Sequence, residues 1–129
     1  MNFNIHSDLP ERKDWRIGCI GSGFIISDCH LKAYRKAGFN PVAIASRTTE
    51  NAAKCAEQND IGTVYDNIDQ LLGDESIEVL DIAVPPDNQL EIIRGACAHS
   101  TAKGILAQKP LGANYAEAVE VVETCETAG

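Results

Sequence analysis

A short apolar run that ends in a glycine turn constrains this sequence more than any other feature. Residues 16–24 read Arg-Ile-Gly-Cys-Ile-Gly-Ser-Gly-Phe, and a segment with helical periodicity follows at once. The pattern predicts a strand, a tight turn and the N-terminus of a helix. Gly21 and Gly23 allow positive φ and let a phosphate approach the backbone, while the helix N-terminus favours an anion. This stretch therefore predicts a nucleotide site.

From residue 16 onward, apolar runs and helical patterns alternate five times along the chain. The predicted strands are residues 16–20, 41–45, 63–65, 79–84 and 104–107, with a helix after each one. Short connections of this kind are typical of parallel strands joined by right-handed helical crossovers. We therefore expect an α/β fold, a doubly wound parallel sheet of the Rossmann type in three α/β/α layers. Residues 1–15 lack periodicity and are interpreted as an N-terminal arm, and residues 16–129 as one nucleotide-binding domain.

The predicted helices have defined ends and apolar faces. Helical spacing places Ile26, Cys29, Ala33 and Ala37 on the inner face of the first helix, which Gly38 ends. Pro85 and Pro86 stop the fourth strand and are expected to delay the next helix until Asp87. In the last helix, from about residue 114, the predicted inner face comprises Tyr115, Ala118, Val119 and Val122.

The composition excludes several classes of partner. The chain has 129 residues and a net charge of −8, without a cluster of Lys or Arg, which argues against nucleic acid and anionic membranes as partners. No window approaches the ~18 apolar residues of a membrane span. Five scattered cysteines without metal-ligand spacing indicate reduced core thiols in a cytoplasmic protein and no metal site: Cys19, Cys29, Cys55, Cys97 and Cys125.

The unusual residues lie at the predicted carboxyl ends of the strands, where ligands of such sheets bind. They are Gly21-Ser22-Gly23, Ser46-Arg47, Pro85-Pro86 with Asn88 nearby, and Gln108-Lys109-Pro110. The glycine fingerprint is incomplete, because its third position is Ile26 where a small residue normally lets the helix approach the strand. We expect Ile26 to push the first helix slightly outward.

Ser46 and Arg47 stand where an NAD-binding fold usually places an acid for the ribose 2′-hydroxyl. A hydroxyl and a guanidinium can instead hydrogen-bond a 2′-phosphate, so NADP is preferred over NAD. The alternative is that Ser46 caps the turn and Arg47 is a solvated surface residue. The missing acid also argues against a methyltransferase that uses S-adenosylmethionine.

Lys109 is the candidate catalytic residue. A lysine at the end of a buried strand can hold a substrate oxygen, assist proton transfer and polarise a carbon for hydride transfer. The alternative is an exposed loop lysine. His30 is interpreted as a partly buried, satisfied histidine, and Asp81 as a helix-cap or turn acceptor.

Taken together, these motifs resemble the NAD(P)-binding domain of the glucose–fructose oxidoreductase / inositol dehydrogenase (Gfo/Idh/MocA) family. The resemblance covers residues 16–129 and rests on G-S-G-F-I-I with His30 beyond it, A-S-R, D-I-A-V-P-P and A-Q-K-P-L-G. In that family the last motif is usually E-K-P with a catalytic lysine, which Lys109 matches, while Gln108 replaces the glutamate. The family often has T-P and then a histidine in the next helix, a region that Val84-Pro85-Pro86 and Leu90 occupy here.

The resemblance implies an NAD(P)-dependent oxidoreductase that transfers hydride to or from a sugar, polyol or related hydroxy compound. It also implies a second, larger α/β domain that this sequence lacks, so we expect the chain to be either a fragment of a longer enzyme or a solitary nucleotide domain. In either case we expect it to bind cofactor weakly, to lack turnover and to pair through its exposed sheet edge as a homo-oligomer. The alternative function is a noncatalytic nucleotide-binding or sensing module. The expected cofactor-binding residues are Gly21, Ser22, Gly23, Phe24, Ile25, Ser46, Arg47, Val84, Pro85, Pro86, Asn88, Gln108 and Lys109.

Overall fold

A five-stranded parallel sheet forms the centre of the molecule in a computed structural model that describes residues 8–129. The strands follow the order β3-β2-β1-β4-β5, and every neighbouring pair is parallel. The prediction of a doubly wound parallel sheet is confirmed. The strands are β1 Arg16–Ile20, β2 Asn40–Ala45, β3 Thr63–Val64, β4 Val79–Ile82 and β5 Gly104–Ala107.

Helices cover both faces of this sheet. They are α1 Leu31–Ala37, preceded by a π-helical turn over Ile25–His30, α2 Thr49–Asn59, α3 Ile68–Leu72, α4 Pro86–His99 and α5 Tyr115–Ala128. Gly38 ends α1 in the left-handed conformation, as predicted. Within the described residues, no helix combines the length and apolar character that a membrane crossing requires.

Two apolar clusters lie on opposite sides of the sheet and hold the layers together. One cluster packs α1 and α2 against the sheet through residues such as Leu31 and Ala52. The other packs α3, α4 and α5 through residues such as Leu72, Ile93 and Val121. Because each strand of the centre is covered on both faces, the strands consist mostly of apolar residues, as parallel sheets require.

The π-helical turn after the glycines changes which residues face the core. A π turn contains an extra residue compared with an α turn, so the inner positions move along the sequence. Ile26 and Leu31 are fully buried, whereas Cys29 and Ala33 are exposed, contrary to the predicted face. The interpretation of all five cysteines as core thiols is therefore wrong for Cys29, although all five are free.

Two further helix predictions are corrected. Helix α4 was expected to begin at Asp87, but it begins at Pro86. Proline suits the first position of a helix, where its missing N–H has no partner to lose. In α5 the buried residue is Val121, while Tyr115 and Val122 are exposed. Apolar residues lie on several sides of α5, and for that reason periodicity alone selected the wrong face.

The described part of the N-terminal arm is attached to the domain through Arg12 and Trp15. The guanidinium of Arg12 lies 3.7 Å from the centre of the Trp15 ring and donates to both carboxylate oxygens of Glu78 at 2.9 Å. Glu78 precedes β4 and also accepts the backbone N–H of Arg16 at 3.2 Å. Residues 1–7 of the predicted arm lie outside the described part of the chain.

Candidate functional site

The carboxyl ends of four strands meet around the point where the chain order of the sheet reverses, between β1 and β4. Three backbone hydrogen bonds join these ends: Gly21 N to Ala45 O at 2.9 Å, Ala83 N to Ile20 O at 3.0 Å, and Gln108 N to Ile82 O at 2.9 Å. Connections that leave β1 and β4 toward opposite faces open a crevice here, which is where doubly wound sheets bind ligands. All the strand ends singled out in the sequence border this region.

The two glycines of the turn are required for different reasons. Gly21 has a φ of 113°, and a Cβ there would lie 2.3 Å from the carbonyl oxygen of Ala83. Gly23 does not use the positive φ that a glycine allows, and a Cβ there would meet no protein atom of the described residues within 4 Å. Gly21 is needed to form the turn, whereas Gly23 leaves the surface of the crevice open.

A cavity of about 530 Å³ occupies the crevice. Eight of the expected cofactor-binding residues line it: Gly21, Ser22, Gly23, Ser46, Arg47, Val84, Pro85 and Asn88. Phe24, Ile25, Pro86, Gln108 and Lys109 are not among the lining residues. Sequence reasoning missed Thr48, Asn51, Asp69 and Glu91, which line the cavity from α2, α3, α4 and the loop before α2. Among residues 8–129, the cavity is thus lined by one cationic side chain, Arg47, and by acidic side chains at Asp69 and Glu91.

Ser46 and Arg47 differ in their availability to a ligand. The Ser46 hydroxyl donates to Thr48 O at 2.7 Å and accepts from Thr48 N at 3.3 Å, so the turn already uses it. Arg47 is exposed at the cavity wall and has no ion-pair partner within residues 8–129. Of these two side chains, the guanidinium is the one that is free to meet an anion.

Lys109 lies on an exposed loop directly after β5. Gln89 of α4 holds this loop from the interior of the protein. Its side chain is fully buried, and its amide nitrogen hydrogen-bonds to three carbonyl oxygens of the loop. Gln89 Nε2 donates to Gln108 O at 2.9 Å, to Leu111 O at 3.0 Å and to Pro110 O at 3.1 Å. The backbone on both sides of Lys109 is therefore held while its own side chain remains accessible.

A buried polar cluster lies on the opposite side of the same loop. The side chain of Asp81 is 0% exposed, and its Oδ2 accepts from Tyr34 Oη at 2.7 Å and lies 2.8 Å from His30 Nδ1. On its other side, His30 Nε2 lies 2.9 Å from Nε2 of the Gln108 side chain. The interpretation of Asp81 as a helix cap or turn acceptor is wrong, since the carboxylate is the centre of this cluster.

Burial and the Asp81 carboxylate set the protonation of the neighbouring groups. Desolvation first, and then the charge of Asp81, raise the pKa of the Tyr34 hydroxyl. The same two causes, with desolvation again the larger, raise the pKa of the Cys19 thiol. Tyr34 is thus a permanent hydrogen-bond donor to Asp81, and Cys19 is an unreactive core thiol.

The sequence contained a weak signal for the true role of Asp81 and none for that of Gln89. Asp81 interrupts an apolar strand, and a buried carboxylate needs partners, so its position already requires donors on the facing helix. Gln89 carries no comparable signal, because an amide in an amphipathic helix looks like any surface residue. Only the packing of α4 under the Lys109 loop identifies it.

The crevice fits a dinucleotide in the part that would hold phosphates. Gly23 leaves the space beside its backbone open, a helical turn follows it, and the Arg47 guanidinium has no ion-pair partner among residues 8–129. These features together suit anionic oxygens. The cavity is also of the size that small-molecule and cofactor sites usually have. The residues that line the crevice therefore fit a bound NAD or NADP.

Comparison with known proteins gives the same assignment. A family profile described as an oxidoreductase family with an NAD-binding Rossmann fold, Gfo/Idh/MocA, matches residues 15–129. The chain is 30% identical over 112 residues to D-xylose 1-dehydrogenase (NADP(+)) 2 of Haloferax volcanii, which covers 87% of this chain and 34% of the relative. It is 29% identical over 114 residues to 1,5-anhydro-D-fructose reductase of Ensifer adhaerens, covering 88% and 34%.

A solved structure extends the likeness to three dimensions. Levoglucosan dehydrogenase, in complex with NADH and levoglucosan, superposes with a TM-score of 0.77 at 27% identity, covering 86% of this chain and 32% of that chain. The chain thus spans about a third of the length of the relatives that it matches. What it shares with them is the NAD(P)-binding Rossmann domain.

Proposed function

The chain belongs to the Gfo/Idh/MocA oxidoreductase family, and we propose that it is the cofactor-binding part of an enzyme that transfers hydride to or from a sugar, polyol or related hydroxy compound. The observation that carries the proposal is the crevice between β1 and β4, with its glycine turn and an accessible lysine on the next loop along the same sheet edge. Three relatives carry names that state a sugar-like compound, namely 1,5-anhydro-D-fructose, D-xylose and levoglucosan, which supports this substrate class. Another is named trans-1,2-dihydrobenzene-1,2-diol dehydrogenase, after a cyclic diol, which falls within the related hydroxy compounds.

The role proposed for each residue depends on the strand end at which it lies. Gly21, Ser22 and Gly23 would hold the pyrophosphate of the cofactor, and the loop after β4, with Val84, Pro85 and Asn88, would contact its nicotinamide ribose. The bound cofactor supplies the hydride donor or acceptor. Lys109 would donate a hydrogen bond from Nζ to the reacting substrate oxygen and transfer the proton that this oxygen gains or loses. The other substrate contacts would come from a domain outside this chain.

Replacing Lys109 by Ala in the whole enzyme tests this assignment. We expect turnover to fall by roughly 100-fold or more, the usual contribution of a general acid–base group, with cofactor affinity nearly unchanged. Lys103→Ala, at an exposed position before β5, is the matched control and should leave both quantities unaltered. Turnover that is unchanged in Lys109→Ala would remove the catalytic role and favour a noncatalytic nucleotide-binding module.

We further propose that the cofactor is NADP and that Arg47 alone reads its 2′-phosphate, because the Ser46 hydroxyl is occupied within the turn. One relative is named as an NADP(+) enzyme and another was solved with NADH, so both cofactors occur among the relatives.

Fluorescence titration with NADPH and NADH distinguishes the two cofactors. Arg47→Ala should weaken NADPH binding by about tenfold, the low end for a hydrogen bond to a charged group, and leave NADH binding unchanged. Lys36→Ala, an exposed cation on α1 remote from the cavity, controls for net charge. Tighter binding of NADH by the parent chain, or an equal loss for both cofactors, would contradict the proposal.

A further inference from the structure

A continuous chain of side-chain hydrogen bonds connects the buried Asp81 to the backbone of Lys109. Asp81 Oδ2 lies 2.8 Å from His30 Nδ1, and His30 Nε2 lies 2.9 Å from Gln108 Nε2. Gln108 Oε1 then accepts the backbone N–H of Lys109 at 2.8 Å. The chain begins at a side chain without solvent contact and ends at the residue proposed to act on the substrate.

The chemistry of the two ends fixes the direction of every bond in between. The N–H of Lys109 can only donate, so Gln108 must present its oxygen there and its NH₂ group to His30. That NH₂ group also only donates, so His30 Nε2 must be an unprotonated acceptor. The proton of a neutral His30 therefore resides on Nδ1, where it is donated to Asp81.

A second donor, the Tyr34 hydroxyl, meets the same oxygen of Asp81. Its Oδ2 accepts two hydrogen bonds, one of them from Tyr34 Oη at 2.7 Å. The raised pKa of Tyr34 keeps this hydroxyl a donor, and the carboxylate oxygen remains an acceptor for His30. The cluster can thus impose one tautomer on His30 and, through that tautomer, one orientation on the Gln108 amide.

We propose that His30 and Asp81 are positioning residues, which orient Gln108 and thereby hold the peptide group that precedes the Lys109 side chain. A second proton on His30 would place two donors face to face, and the Gln108 amide could restore that contact only by turning its NH₂ group toward the Lys109 N–H. The importance of this arrangement for turnover rests on the proposed function of Lys109. The arrangement itself does not.

Two substitutions at position 30 separate positioning from mere packing. Asparagine places its amide nitrogen near the site of Nδ1, so His30→Asn keeps a donor for Asp81 and loses Gln108. Glutamine reaches the site of Nε2, so His30→Gln keeps an acceptor for Gln108 and loses Asp81. A merely structural His30 would make His30→Gln the more damaging variant for the loop, since that variant leaves the buried carboxylate short of a donor.

Nuclear magnetic resonance on the full 129-residue chain provides the readouts. In the parent, the ¹⁵N shifts of neutral His30 should report a proton on Nδ1. The Lys109 amide should exchange about fivefold faster in His30→Asn, as expected for one lost hydrogen bond, and at the parental rate in His30→Gln. The Cys19 amide of β1 reports global unfolding in each sample, so the Lys109 rate is compared at equal global stability.

Gln108→Met keeps the inference testable if a position-30 variant does not fold. It breaks the chain at its other end without touching Asp81, and it should accelerate Lys109 exchange as much as His30→Asn does. A proton on Nε2 of His30 in the parent, or parental exchange at Lys109 in Gln108→Met, would overturn the inference. None of these readouts depends on turnover, so they stand apart from the Lys109→Ala assay, whose failure would remove only the proposed catalytic role.

Discussion

At the scale of single residues, Gly21 and Gly23 have distinct physical roles within one turn. A side chain at Gly21 would collide with the backbone just after β4, because the Ala83 carbonyl oxygen lies 2.3 Å from the position of a Cβ. Gly23 borders open space instead. The sequence predicted that both glycines matter, but the G-x-G pattern cannot separate backbone strain from ligand clearance. Only the position of Ala83 separates them.

Alanine substitutions at the two glycines should therefore give opposite results. Gly21→Ala combines a positive φ with a backbone clash and should lower the free energy of unfolding by roughly 2–3 kcal/mol. Gly23→Ala should leave that free energy nearly unchanged and weaken cofactor binding, because its methyl group enters the crevice. Urea unfolding and NADPH titration of both variants measure the two effects. Equal stability of the two variants would refute the distinction.

Other site residues could be predicted only where their chemistry shows in the sequence. Arg47 was identified because a cation replaces an expected acid at a strand end. His30 was correctly interpreted as a satisfied, partly buried histidine, yet its partners were not identified, since Asp81 and Gln108 are distant along the chain. A single sequence without pair information does not reveal such contacts.

At the scale of elements, the alternation of apolar runs and helical patterns was sufficient to locate every strand and helix of residues 16–129. It was not sufficient to assign helix faces. The first turn after the glycines is π-helical, and this wider turn buries Ile26 completely where the glycine fingerprint expects a small residue. The bulky residue was expected to push the helix outward; in the structure it coincides with a changed helical register.

Helix α4 holds the Lys109 loop through one buried amide, which gives a second stability prediction. Gln89→Leu leaves three carbonyl oxygens without their shared donor and should lower the free energy of unfolding by about 1–3 kcal/mol. Thermal or urea unfolding measures this loss.

Gln89→Glu is the informative companion variant. An ionised carboxylate has no donor for those carbonyl oxygens, whereas the protonated acid has one. Folding therefore raises the pKa of this introduced acid, and the variant should approach parental stability at low pH and lose stability as pH rises through the folded pKa. A stability difference from the parent that does not vary with pH would show that Gln89 only fills space.

At the scale of the whole molecule, the described arm is joined to the sheet mainly through Glu78. The backbone N–H of Arg16 first, and the Arg12 guanidinium second, hold the pKa of Glu78 below its ordinary value of 4.5. A carboxyl whose pKa is lowered by folding stabilises the fold above its unfolded pKa, and this contribution is lost as pH falls through the folded value.

Glu78→Gln should remove that pH dependence. The variant should be less stable than the parent above about pH 5, and the difference should shrink as the pH falls below the unfolded pKa of a glutamate. Urea unfolding at several pH values tests the trend, with Glu126→Gln at the exposed end of α5 as the control. A constant difference across this range would mean that the arm is held by Arg12 and Trp15 packing alone.

The strand order determines when the crevice forms during synthesis of the chain. The glycine turn is synthesised early, but the Ala83 carbonyl that it packs against directly follows β4, and the Lys109 loop follows β5. A ribosome-bound chain that ends before β4 contains β1, β2 and β3, which can pair with one another. It lacks the β4 side of the crevice, so a nucleotide would meet only one of the two walls of its site. Binding competence should therefore emerge late and abruptly, when β4 docks beside β1, and not accumulate gradually as the chain lengthens.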